Sequence, residues 1–110
     1  MGLHVHAVAL EAVAALRPIV TQLSRHDPDL SKQLRRAASS IVLNLAEAER
    51  SDPGNSRARL HSAAGSAAES RAALGLAAAW GYLEPGHMAG AEALLDRVAA
   101  MLFRLTHPRR

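Results

Sequence analysis

The chain contains no cysteine, which excludes a disulfide framework and any chemistry that needs a thiolate nucleophile or ligand. Aromatic residues are nearly missing too, since Trp80, Tyr82 and Phe103 are the whole set. Such a sequence provides no evident stacking platform for single-stranded bases, so any nucleic-acid binding is expected to be directed at the backbone and weakly sequence-specific. Long apolar runs are absent: the longest, Ala72 to Leu83, contains Gly75 and Gly81 and falls short of the roughly 20 residues of a membrane span. No membrane partner is expected.

No glycine-rich phosphate loop is present, and no serine has a histidine and an orienting carboxylate at a recognisable spacing. Catalytic residues and cofactors are therefore not expected. Metal chemistry in helical bundles uses paired Glu-x-x-His motifs, and here only Glu84-Pro85-Gly86-His87 fits. His4, His6, His26, His61 and His107 share no ligand spacing, so they are assigned to the surface. The stretch Met1-Gly2-Leu3-His4-Val5-His6 lacks a signal peptide's basic start and cleavage site, and His6 fails the myristoylation pattern. Cytoplasm is the expected location.

What the chain has is alanine and helical periodicity. Its 110 residues are 49% hydrophobic, and an alanine-rich core with few β-branched runs favours closely packed helices. Helix 1 is expected over about 4–25, with Val5, Ala9, Ala12, Leu16, Ile19 and Leu23 spaced four and three apart and a kink at Pro18. Helix 2 spans about 31–50, capped by Asp27 ahead of Pro28 or by Ser31; helix 3 spans about 56–80, capped by Asn55 or Ser56 and stopped at Gly81. Helix 4 covers about 86–106, with Met88, Ala91, Leu95, Val98, Leu102 and Leu105 in register. Short connections make successive helices antiparallel. The fold class is all-α, a single up-down-up-down four-helix bundle over 1–110.

Helix 2 carries the most information. At about 100° per residue, Leu34, Ala37, Ile41, Leu45 and Ala48 fall on one side, while Gln33, Arg36, Ser40, Asn44 and Glu47 form a polar ribbon on its flank. Helix 3 has two seams: Leu60, Ala64, Ala67, Leu74 and Ala78 make one, interrupted by Arg71. Ala58, Ser62, Gly65, Glu69, Ala72 and Leu76 lie nearly opposite. Small residues on both sides imply packing on both sides, and Leu43 points away from the core face of helix 2. Leu43, Gly65, Ala72 and Leu76 are therefore the expected contact between subunits of a homo-oligomer. The helix glycines are expected to permit close helix approach.

The run Gln33-Leu34-Arg35-Arg36-Ala37-Ala38, then Ser40-Ile41 and Asn44-Leu45-Ala46-Glu47, followed by Ala64-Gly65-Ser66 and Glu69, resembles the four-helix-bundle proteins encoded in intervening sequences of bacterial 23S ribosomal RNA genes. The resemblance covers most of the chain. It implies a small bacterial bundle that assembles into a ring, a homopentamer, with no known enzymatic activity. A similar bundle is the accessory variability determinant of diversity-generating retroelements, a basic barrel that binds nucleic acid and a reverse transcriptase. Two positions depart from the family pattern: Ala48 stands where a glycine commonly follows Asn-x-Ala-Glu, and the start of helix 3 lacks the usual aromatic. Both bear on the turn between helices 2 and 3.

Arg36 on the polar ribbon and Glu69 in the second seam are expected to form a partly buried ion pair, because an unpaired buried charge costs about 3–5 kcal/mol. Ser40, Asn44, Glu47 and Ser66 would complete that structural network; a polar ligand pocket is the alternative use of the same residues. Lys32, Arg35, Arg50, Arg57 and Arg59, with Arg109 and Arg110, are the candidate phosphate contacts. The formal net charge of +3 permits nucleic acid or acidic partners without requiring them. Two functions are compatible with this chain: an oligomer that binds RNA or DNA electrostatically, and an oligomeric adaptor for a protein partner.

Overall fold

Each of the three turns ends in an acidic residue followed by proline: Asp27-Pro28, Asp52-Pro53 and Glu84-Pro85. Proline suits the first helical position, where its missing N–H removes a donor that had no partner. The computed structural model describes residues 3–108 and contains α1 (Leu3–Leu23), α2 (Pro28–Arg50), α3 (Pro53–Ala79) and α4 (Pro85–Thr106). The carboxylate of Asp27 accepts from the Leu30 amide at 3.0 Å. Asp52 accepts from the Asn55 amide at 3.0 Å, and the Asn55 side chain donates to its other oxygen at 2.7 Å.

Those caps correct three boundaries. Of the two expected caps of α2, Asp27 ahead of Pro28 is the one used, so α2 begins about one turn before residue 31; α3 likewise begins about one turn before residue 56, because Asp52-Pro53 captures the start ahead of Asn55 or Ser56. Ser31 is buried, and its hydroxyl donates to the Val20 carbonyl at 2.7 Å, tying α2 to α1. α1 stops at Leu23, short of Arg25, where the Asp27 amide bonds back to the Leu23 carbonyl at 2.8 Å. The helix runs through Pro18, which leaves the Ala14 carbonyl without its usual donor; both residues are on the exposed side, where water serves instead.

α1 packs against α2 and α4, and α3 packs against the same two, so the helices stand at the corners of a square 43 Å long with α2/α3 as the most extensive pair. The seams of α1, α2 and α4 are buried as the spacing requires, Leu105 partly so. α3 departs from expectation by a fraction of a turn. Leu60, Ala67 and Leu74 are buried, but Ala63, Ser70, Ala73 and Ala77 complete the inner line, while Ala64 and Ala78 sit at its edge. Alanine at those inner positions lets α2 and α3 approach closely. Ala48 is buried too, and α2 ends two residues later with Ser51 in extended conformation.

The glycines do not act as expected within the protomer. A methyl group added at Gly65, Gly75 or Gly90 would meet nothing within 4 Å, so no helix approaches them closely. Gly81 differs, because its φ of 78° is the left-handed region that ends α3. None of the four helices is long and apolar enough to cross a membrane.

Candidate nucleic-acid interface

The polar ribbon of α2 flanks the α2/α3 seam, and only part of the expected network forms there. The Ser66 hydroxyl donates to the Ser40 hydroxyl oxygen at 2.8 Å. Asn44 donates through its side-chain amide to the Ser40 carbonyl at 2.9 Å and to its hydroxyl oxygen at 3.0 Å. Ser70, fully buried, donates to the Ser66 carbonyl at 2.9 Å and extends the chain inward. Ser70 was not among the expected members, although its place on the inner line of α3 follows from Leu60, Ala63, Ala67 and Leu74.

Arg36 and Glu69 do not pair within the protomer. The ion pairs among the described residues are Arg71 with Asp96 at 2.9 Å, on α3 and α4, and a long His6–Glu49 contact at 3.9 Å. Arg36, Glu47 and Glu69 are all exposed, so water solvates each charge and burial does not demand a partner. Glu47 takes part only through its carbonyl, which accepts from the Ser51 hydroxyl at 2.7 Å.

Lys32, Arg35, Arg36, Arg50, Arg57 and Arg59 are exposed, and none of them pairs with a carboxylate among the described residues. Lys32, Arg35 and Arg36 line one groove with Val20 and Thr21 of α1 and Ser24 of the turn that follows it. Arg35 and Arg36 continue into a second groove along the ribbon, past Ser39, Leu43, Asn44 and the acidic Glu47 to Arg59 on α3. Arg50 and Arg57 are exposed near the α2/α3 turn and line neither groove. Arg109 and Arg110 lie outside the described residues. The structure thus gathers Lys32, Arg35 and Arg59 into one path and adds Arg36, which had been placed in the ion pair.

The expected subunit contact is also open in the protomer. Leu43 on α2 is 65% exposed, and on the outer line of α3 Leu76 is 48% exposed and Gly65 and Ala72 are exposed too.

The shortage of aromatics is offset by placement. The α1–α2 and α3–α4 turns meet at one end of the bundle, and there His26 stacks on Tyr82, with ring centroids 5.6 Å apart and planes 14° from parallel. Tyr82 in turn lies beside Trp80 at 6.4 Å and 21°. Residues distant in sequence thus bring three rings together at this end. At the other end, Phe103 stacks on His107 at 4.1 Å.

The family model of the 23S rRNA-intervening sequence protein matches residues 2–104. A crystal structure of a protein of unknown function from the S23 ribosomal protein family of Bacteroides thetaiotaomicron superposes with a TM-score of 0.84 at 20% identity, covering 94% of this chain and 98% of that one. That likeness supports the four-helix fold. Comparison with curated proteins gives no match.

Proposed function

The chain belongs to the family of 23S rRNA-intervening sequence proteins, and from that premise we propose that it is a non-enzymatic homo-oligomer that binds RNA or DNA through phosphate contacts. One observation carries the reading: Lys32, Arg35, Arg36 and Arg59 line a continuous exposed path, and none of them is engaged in an ion pair among the described residues. Cations held by protein carboxylates would have to exchange partners before meeting a phosphate. These need only shed water and counterions.

Self-association gives that path its strength. A single protomer offers few phosphate contacts, whereas a ring repeats them around an axis, and counterion release adds contact by contact. The exposed Leu43 of α2 and Leu76 of α3 supply apolar area for such an assembly, with five copies the number implied by the family resemblance. Neither the family's description nor that of the similar structure names an enzymatic activity.

Binding of duplex RNA and duplex DNA at increasing salt tests the proposal. Log K is expected to fall linearly with log salt, with a slope of about −0.9 per phosphate contact on B-DNA. Arg35→Glu and Arg59→Glu are expected to weaken binding equally across sequences with the assembly mass unchanged. No binding at low ionic strength would overturn the reading and favour an adaptor for a protein such as a reverse transcriptase.

A further inference from the structure

The end of α3 sets the backbone of Trp80 and Tyr82 in one fixed turn. The Tyr82 amide donates to the Ala77 carbonyl at 2.9 Å and the Gly81 amide to the Ala78 carbonyl at 3.0 Å. These two bonds close a Schellman motif around the left-handed Gly81. Trp80 and Tyr82 flank that glycine, so one backbone device carries both side chains, and the following Leu83 is buried in the bundle. His26, from the other turn, stacks on Tyr82.

The outcome is three near-parallel rings, with His26 and Trp80 each beside Tyr82. Trp80 is 68% exposed. Large aromatic area left in water on a rigid support is available to another planar group. Exposed cations at this end can meet the phosphates of a ligand, beside an equal number of acids. Arg25, exposed, precedes His26 in the turn; Arg17 and Arg25 line a groove with His87 on one side, and Lys32 opens the groove that leads to Arg35 on the other. The acids of the same end, Asp27, Asp29 and Glu84, sit at helix starts, and Asp27 is committed to its cap.

We infer that the exposed Trp80, grouped with Tyr82 and His26, stacks an unpaired base of single-stranded nucleic acid whose phosphates run onto the Lys32–Arg35 groove. The inference rests on the electrostatic reading above and goes further by selecting the strand form. In a duplex, interior bases are stacked on their own neighbours and offer no face to Trp80. A single strand has faces to spare, and every base has one, so the platform tolerates sequence. Duplex binding uses the cations alone.

Trp80 is the one tryptophan of the chain, so its emission reports on this site directly. Twelve-residue uridylate and thymidylate oligomers and a duplex of matched length are titrated at low salt, with tryptophan fluorescence and electrophoretic shift read in parallel. Both single strands are expected to bind with quenched Trp80 emission, and the duplex to bind without quenching; quenching by only one of the two assigns the site to RNA or to DNA. Trp80→Ala is expected to weaken single-strand binding roughly 5- to 100-fold and leave duplex binding alone, with Trp80→Phe recovering part of the loss. Single-strand binding with unchanged emission, or with no loss in Trp80→Ala, overturns the stacking site while the electrostatic reading stands. Failure of every nucleic acid to bind overturns both. A Trp80→Ala protein that falls to protomer mass would show that a second copy covers the ring, and overturns the inference as well.

Discussion

Ser66 of α3 donates its hydroxyl hydrogen to the hydroxyl of Ser40 on α2, at 2.8 Å, across the most extensive helix pair of the bundle. A seam of alanines closes tightly but slides easily, since one methyl group resembles the next. The Ser40–Ser66 bond adds direction. Asn44 presses on Ser40 from one turn further along α2, and Ser70 bonds the Ser66 carbonyl from one turn further along α3, so the contact sets the register of the two helices.

Ser66→Ala is therefore expected to cost about 1 kcal/mol of stability by urea unfolding, the usual net worth of such a bond. Ser40→Ala should cost a similar amount, and the double variant less than the sum, because both remove one interaction. Arg36→Ala and Glu69→Ala should leave protomer stability unchanged within error, since both charges are solvated and pair with no described residue. A large loss at either position would place that side chain in a contact with another copy.

The contrast between those residues shows what the sequence could convey. Helical spacing placed Ser40, Asn44 and Ser66 near one seam, because direction around a helix is fixed at about 100° per residue. It could not convey the reach of long side chains, so Arg36 and Glu69, near the same seam, were joined although each extends into water. α1 and α4 were legible because Val, Leu and Ile mark a single stripe. α3 was less so, since Ala, Ser and Gly on all sides leave little hydropathy contrast to orient it. The His26–Tyr82–Trp80 grouping had no local signal at all, as its rings come from two turns that only the folded bundle brings together.

The cap of α3 should make stability depend on acid. Hydrogen bonds from the Asn55 amide and side chain hold the Asp52 carboxyl below the usual carboxylate range. A carboxylate with a depressed folded pKa contributes stability that is complete above its unfolded pKa and is lost as pH falls through the folded value. Thermal melts of Asp52→Asn, which keeps a capping oxygen but does not titrate there, should run below those of the native protein at neutral pH. The gap should narrow as the pH falls below the carboxylate range. A gap that stays constant down to the acid limit would mean that Asp52 does not titrate with folding.

Gly65 separates the protomer's needs from those of an assembly. It lies inside α3 with nothing within 4 Å of where a methyl group would stand, so Gly65→Ala should stabilise an isolated protomer by roughly 0.5–1 kcal/mol through helix propensity alone. If the outer line of α3 packs against a second copy, the same methyl group occupies space the neighbour requires, and dissociation on dilution should occur at higher concentration. Stability and assembly then move in opposite directions, which an exposed and unpartnered helix face cannot produce. Leu43→Glu, at a side chain 65% exposed in the protomer, should leave helicity intact and reduce the mass in light scattering to that of the 11.7 kDa chain. A native protein already at protomer mass at micromolar concentration would remove the ring, and with it the repetition on which strong phosphate binding depends.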